Sequence, residues 1–413
     1  MPSSDSKILM IYSTVHFFIH CPGNVFAALI ILIMANFNLD YLQFSLIASV
    51  VGFASSFSFP VAGALADRFG RRIFPSLSAV ITGSTALIIG LFGGRSIFLF
   101  TGGLLVMAFS MAMFHPSSMT MISYRFQRRR SGAFSIFQSG GQVGVGTGQL
   151  TVAILLWLGR DSDPFLAYLL WSVPILLMSV IMIILHLQDP TIGVNTEREH
   201  HPSSKIGKSS NSAPSSLKML FIPAFLLLLL VLSLDSFGFS LYQLYIIPFL
   251  VEERQVLEAT AIFYFSMLKL LGFPGTIIGG FAGDVYGEKR VLIGAYALVT
   301  LGLFLLLLLQ NSIFLPLIFL ILAFGLNATM PTMDSLIAKI VPLRARGKAY
   351  GLSYFTPIIG NVAPILGAII ILTMGFGIIF FIAIGLYALV ILLLLFVREP
   401  SETETIPVIP TVK

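Results

Sequence analysis

The chain has 413 residues, 57% of them hydrophobic and 10% charged, with a formal net charge of +6. A soluble globular chain is roughly 25% charged, so a water-soluble enzyme, a disordered chain and a nucleic-acid-binding protein are all excluded, and the excess of Lys and Arg is read as a topology signal. The single cysteine, Cys21, allows neither an intramolecular disulfide nor a cysteine-based zinc cluster.

A membrane-crossing helix needs about 20 apolar residues. After a short polar start, span 1 is predicted at 8–36. It is too long for a signal peptide and no small-residue cleavage site follows it, so it is read as retained. His16 and His20 lie one turn apart on it, with Asn24 one turn further, and this stripe is a candidate cavity lining. No third strong ligand is evident beside the two histidines, so no metal site is expected. Span 2 covers 43–66 and runs into Gly63-Ala-Leu-Ala-Asp67-Arg68-Phe-Gly70-Arg71-Arg72. Span 3 follows at 73–94 and span 4 at 97–123. The inner half of span 4 carries Phe114-His115-Pro116. The proline removes a helix hydrogen bond and can bend the helix. His115 reads either as a group titrating near neutral pH or as a packed histidine.

Span 5, at 131–158, contains Gly140-Gly141-Gln142-Val-Gly144-Val-Gly146-Thr-Gly148-Gln149, a pattern for close helix packing. Span 6 is predicted at 165–187. Residues 188–218, rich in Ser, His, Lys and Pro, read as a linker. Span 7, at 219–250, carries Asp235 near its midpoint, and span 8, at 259–282, carries Lys269 at similar depth. Spans 9 to 12 fall at 291–309, 313–341, 348–372 and 376–397. Asp334 and Lys339 lie on span 10, Asn361 on span 11, and a short polar tail, 399–413, closes the chain.

Intramembrane charge is costly, so each instance is a functional candidate. Asp235 and Lys269 could pair across the second half, as a substrate or proton site or as a structural salt bridge. Asp334 reads either as a proton relay or as a partner of Lys339, which is otherwise expected to snorkel. With the N-terminus placed in the cytoplasm, 19 of the 24 Lys and Arg residues fall inside, three fall outside and two lie within spans. That split places both termini in the cytoplasm.

The halves repeat at an offset of about 217 residues. Gly63, Asp67, Gly70 and Arg72 align with Gly280, Asp284, Gly287 and Lys289, and Phe114-His115-Pro116 aligns with Thr329-Met330-Pro331. Halves repeated in parallel place a substrate site at their interface.

The loop from Gly63 to Arg72, its second copy with Val285 in place of the first Arg, the twelve spans and the central linker resemble the major facilitator superfamily over essentially the whole chain. Met113-Phe-His-Pro116, with Arg129-Arg-Ser-Gly132-Ala-Phe-Ser135-Ile-Phe-Gln138-Ser-Gly140-Gly141, resembles the fosmidomycin-resistance group of efflux carriers within it. The resemblance implies an all-α integral membrane fold of 12 transmembrane helices in two pseudo-symmetric six-helix bundles. The bundles are expected at 1–187 and 219–398, with spans 1, 4, 7 and 10 innermost. It implies a latch between the halves, with Asp67 facing the N-terminal end of span 11, where a carboxylate is stabilised by about 0.3–2 kcal/mol. The gating set is Gly63, Asp67, Arg68, Gly70, Arg71, Arg72, Asp284, Lys289, Arg290 and Pro116. The substrate and proton-coupling set is Asp235, Lys269, Asp334, His16, His20, His115 and Asn361. In antiporters of the family a proline often follows Gly144-x-x-x-Gly148; here Gln149 stands in its place.

The expected function is secondary transport of a small molecule by alternating access, with proton-coupled efflux of a drug or metabolite. Uptake or exchange of a small organic anion, suggested by Lys269, and an uncoupled facilitator are the alternatives. No phosphate-binding Gly-x-x-x-x-Gly-Lys-Ser/Thr loop is present, so ATP hydrolysis is excluded. A channel or receptor-like protein would need no latch, and a membrane enzyme would need a convergent nucleophile or metal set that the sequence does not offer. Expected partners are the substrate, protons and the lipid bilayer of the plasma membrane. No nucleic acid and no cofactor are expected, and the chain is expected to act as a monomer.

Overall fold

The computed structural model describes residues 4–69, 73–126, 130–159, 163–188, 222–341, 346–353 and 355–398, and these form helices without a strand. The linker beyond Gln188 and the tail from 399 lie outside the described residues. Eleven helices are long and apolar enough to cross a membrane. Predicted span 5 is the 28-residue helix Arg130–Trp157, which is long enough but less apolar. Its glycines explain the difference, because they face helix backbone instead of lipid. A Cβ on Gly140, Gly144 or Gly148 would lie 2.4, 2.3 or 2.1 Å from the carbonyl oxygens of Ser13, Phe17 and Cys21 on span 1. Small residues four apart let two backbones approach this closely.

The packing plan repeats with the sequence. Span 1 packs on spans 5 and 6, span 2 on span 4, and span 3 on spans 4 and 6. Adding six to each number reproduces the second half: 7 on 11 and 12, 8 on 10, and 9 on 10 and 12. Among the described residues the two most extensive seams between the halves are span 2 on span 11 and span 5 on span 8, and they exchange under the same rule. At the first seam, Asn361 Nδ2 donates to Ser56 Oγ at 3.0 Å, and beside it the end of span 7 meets span 2, where Tyr41 donates to Glu252 and Ser45 Oγ and the Tyr245 hydroxyl are 2.5 Å apart. Tyr245 also donates to the Pro364 carbonyl. At the second, Trp157 stacks obliquely on Phe263, with ring centroids 5.6 Å apart.

Spans 1 and 7 are broken at corresponding places. The helix Ser4–Gly23 gives way to a 3-10 turn, Phe26–Leu29, before Ile30–Phe37. Pro223–Gln243 gives way to the short turn Ile246–Pro248 and a π-helical turn, Phe249–Glu253. Span 8 divides into Glu258–Leu270 and Gly272–Tyr286, and span 11 contains a 3-10 segment, Thr356–Val362. Span 4, in contrast, runs from Ile97 to Arg125 without interruption at Pro116.

The signature loops differ from expectation. The helix Tyr41–Phe69 absorbs residues 63–69 as its last two turns. A Cβ on Gly63 or on Gly280 would meet nothing within 4 Å, so neither glycine serves close approach in this conformation. Arg68 is exposed beside the Phe69 ring. Gly70, Arg71, Arg72 and the side chain of Asp67 lie outside the described residues. In the second copy, Gly287 adopts φ +89°, which favours glycine, and ends the helix. Asp284 and Arg290 are exposed. Lys289 donates to the Leu395 and Val397 carbonyls at 2.7 and 2.8 Å, so it caps the end of span 12. Lys339 donates to buried Glu288, which also accepts from Ser335 at 2.8 Å. Lys339 is thus paired with span 9, and not with Asp334, whose carbonyl accepts from Tyr350 at 2.9 Å. Arg254 donates to the Leu306 and Leu307 carbonyls at 2.7 and 2.9 Å and caps span 9; partial burial there lowers its guanidinium from the usual value, and Glu253 opposes that.

Candidate functional site

The packing of span 5 on spans 1 and 8 brings the two halves together around one set of polar side chains. A narrow cavity is lined by Gln149 of span 5, Phe239 and Gln243 of span 7, Phe265, Leu268 and Lys269 of span 8, and Leu326 and Asn327 of span 10. The Lys269 ammonium lies 5.7 Å from the Phe239 ring centroid, a cation-π distance. It lies within electrostatic reach of His20 of the first half. Asn327 donates to the Leu268 carbonyl at 2.9 Å and to the Ala323 carbonyl at 2.8 Å. The first bond satisfies a carbonyl beside the break in span 8. A Cβ on Gly272 would lie 2.0 Å from Asn327 Nδ2, so the amide occupies the space that this glycine leaves.

Three histidines of the first half stand together. His16 and His20 of span 1 and His115 of span 4 place one ring nitrogen each within 4.8 Å of one another. His16 is 2% exposed, and its Nδ1 donates to the Phe137 carbonyl at 2.7 Å. Gly141 makes room for this ring, because a Cβ there would lie 2.6 Å from His16 Nε2. The Nε2 atoms of His20 and His115 are 3.4 Å apart, and Asn24 Nδ2 lies 3.1 Å from His20 Nδ1. The half-exposed Phe59 ring covers His115 at 6.0 Å.

Asp235 belongs to a different group. Its carboxyl faces the Tyr296 hydroxyl of span 9, with Tyr242 of its own helix and Tyr387 of span 12 within electrostatic reach. The Tyr296 and Tyr387 rings stack at 5.8 Å, and those of Tyr242 and Tyr387 meet at 6.5 Å. All three tyrosines are buried. No Asp235–Lys269 ion pair exists among the described residues, which corrects the expected pair. The reason is rotational: at about 100° per residue, Tyr242 falls on nearly the same face of span 7 as Asp235, whereas Gln243, which lines the Lys269 cavity, is turned by roughly 80°.

Asn361 lies at the seam, where its side chain fills the space over Gly52 and holds Ser56. Asp334 lies outside the cavity lining. Sequence reasoning missed Asn327, Gln243 and Gln149 as lining residues. Their signal was visible as isolated amides in otherwise apolar runs.

Comparison with known proteins agrees with the fold. The profile described as Major Facilitator Superfamily matches residues 12–281 and 246–411. The chain is 23% identical over 265 residues to the fosmidomycin resistance protein of Escherichia coli (strain K12), covering 64% of this chain and 62% of that protein. It is 39% identical over 109 residues to the 3-(3-hydroxy-phenyl)propionate transporter of the same strain, 26% of each chain. It is 23% identical to multidrug resistance protein MdtG of Enterobacter lignolyticus (strain SCF1), covering 82% and 78%. The aligned stretch thus spans less than two thirds of the first two relatives. Among solved structures, a bacterial homolog of the human lysosomal transporter Spinster, in an inward-facing and unoccupied conformation, superposes with a TM-score of 0.71 at 18% identity, over 97% of this chain and all of that one. The profile reaches both halves, and the helices pack twice by one plan about a shared polar cavity: the chain belongs to the major facilitator superfamily.

Proposed function

We propose that this protein is a secondary transporter that exports a small organic molecule carrying an anionic group, by alternating access and in exchange for protons. The observation that carries the reading is the cavity at the junction of the halves. Its charged group is Lys269, beside the Phe239 ring and the amides of Gln149, Gln243 and Asn327. A cation, an aromatic wall and three amides suit an anionic, partly aromatic solute. Asp235, one helix face away and enclosed by tyrosines, is the proposed proton carrier. Protonation neutralises a carboxyl that is costly to hold charged inside a membrane. Export is the direction that fits the resistance for which the fosmidomycin and MdtG relatives are named.

The chain is proposed to lie in the plasma membrane as a monomer, with both termini and the basic loops in the cytoplasm. The seam bonds of Tyr41, Ser45 and Tyr245 then lie toward the outside. Rocking the halves about the two seams would transfer access to the other face.

Uptake of an aromatic carboxylate is the second reading. It is favoured by the Lys269–Phe239 contact and by the named substrate of the phenylpropionate relative. The test is proton movement in proteoliposomes on adding fosmidomycin, 3-(3-hydroxyphenyl)propionate and a panel of organic anions. The expected result is solute-driven proton flux that is lost in Asp235→Asn, and solute binding that is lost in Lys269→Met. Solute movement without proton flux in the wild type would return Asp235 to a structural role and leave a facilitator. The sign of the proton flux against solute flux separates export from uptake.

A further inference from the structure

We propose that His16, His20 and His115 bind one divalent transition-metal ion of the zinc class, with its fourth position open to the cavity beside Lys269 and filled by an anionic ligand. The geometry supports it at three points. First, a tetrahedral site with metal–nitrogen bonds of about 2.0–2.1 Å separates its ligand nitrogens by roughly 3.3–3.4 Å. The Nε2 atoms of His20 and His115 already stand 3.4 Å apart, and the third ring lies within 4.8 Å. Second, His16 is set as a metal ligand is usually set. Its Nδ1–H is committed to the Phe137 carbonyl, which fixes the tautomer, and its Nε2 is buried without a hydrogen-bond partner. Third, the metal-free arrangement is poorly satisfied. His115 Nδ1 is buried without a partner. Asn24 Nδ2 lies 3.1 Å from His20 Nδ1 and donates to the His20 carbonyl at 3.2 Å, so metal binding through His20 Nε2 moves that ring's proton to Nδ1 and turns the Asn24 side chain away from it.

Neutral imidazoles suit zinc, copper, nickel and cobalt ions, and three of them leave a position open. His20 and His115 are only partly buried, which leaves room for a further ligand at that position. Lys269 of span 8 lies within electrostatic reach of His20. Placing a dication beside an ammonium is unfavourable unless an anion lies between them. The site is therefore expected to take its metal together with an anion, such as hydroxide or the anionic group of a transported solute.

The experiment is titration of tag-free purified protein in detergent with Co2+, read by visible absorption and equilibrium dialysis, then competition with Zn2+. The expected result is one Co2+ per chain with the intense spectrum of tetrahedral cobalt, displaced by one equivalent of Zn2+. His115→Gln is expected to weaken binding at least about 100-fold, beyond the range seen when only an outer-shell partner is lost. His20→Gln provides the same readout if His115→Gln does not purify as a monodisperse species, and Lys269→Met is expected to tighten binding. A pale octahedral spectrum, binding of no defined stoichiometry, or equal affinity in the histidine variants would overturn the proposal. Because the assay requires no transport, its failure leaves the transport reading untouched.

Discussion

Substituting Gly144 by alanine tests the tight seam between spans 1 and 5. The added Cβ would lie 2.3 Å from the Phe17 carbonyl oxygen and 3.0 Å from its carbonyl carbon. Ordinary contact begins near 3.4 Å, so the helices must separate by about 1 Å, and backbone cannot swing aside as a flexible side chain would. Overpacking of this kind costs about 1–3 kcal/mol. The same displacement would stretch the His16 Nδ1 to Phe137 carbonyl bond from 2.7 Å to beyond hydrogen-bonding range. The expected outcome is an apparent melting temperature several degrees lower in detergent, together with weakened Co2+ binding. Gly63→Ala is the matched control, because a Cβ there meets nothing within 4 Å, and its melting temperature is expected to equal that of the wild type. An unchanged Gly144→Ala, or a Gly63→Ala equally damaged, would refute the packing argument.

Tyr245→Phe removes the hydroxyl that contacts Ser45 and the Pro364 carbonyl. It is expected to speed hydrogen–deuterium exchange in the Tyr41 end of span 2 and in the segment from Thr356 to Ala368, while leaving spans 3 and 6 unchanged. Lys289→Met removes two hydrogen bonds to the end of span 12; the expected cost is about 1 kcal/mol, read as a lower melting temperature and faster exchange near Leu394, and unchanged exchange there would sink the capping role. Glu288→Gln unpairs Lys339 and weakens the contact to Ser335. Since Lys339 is half exposed, the loss is expected to fall well short of the 3–5 kcal/mol of a fully buried pair, and Lys339→Met added to it should cost little more, which a double-mutant cycle measures.

The spans, their repeat and the cavity's place between halves were legible because they depend on hydropathy and on spacing along one chain. What was not legible depends on rotation about a helix axis. Asp235 and Lys269 share a depth, and depth alone suggested a pair; the structure turns one toward spans 9 and 12 and the other toward span 5. The histidine cluster was half visible. His16 and His20 are one turn apart on a single helix, but His115 joins them from 95 residues away, and only the packing of span 4 against span 1 supplies that neighbour. Glu288 was missed because it was counted as loop, whereas it begins span 9 and is buried against span 10. The glycines of span 5 were read correctly as packing residues, since spacing by four is itself a geometric statement.

Cys21, the one cysteine, has its carbonyl against Gly148 in the tight seam, and its side chain is fully buried. These 413 residues therefore present no accessible thiol in the described conformation, and Cys21 is shielded from maleimides and spin labels. A cysteine introduced at any exposed position would be the single labelling site without a prior cysteine-less background. Pairs placed across the span 2–span 11 and span 5–span 8 seams would report distances between the halves in an otherwise unaltered chain.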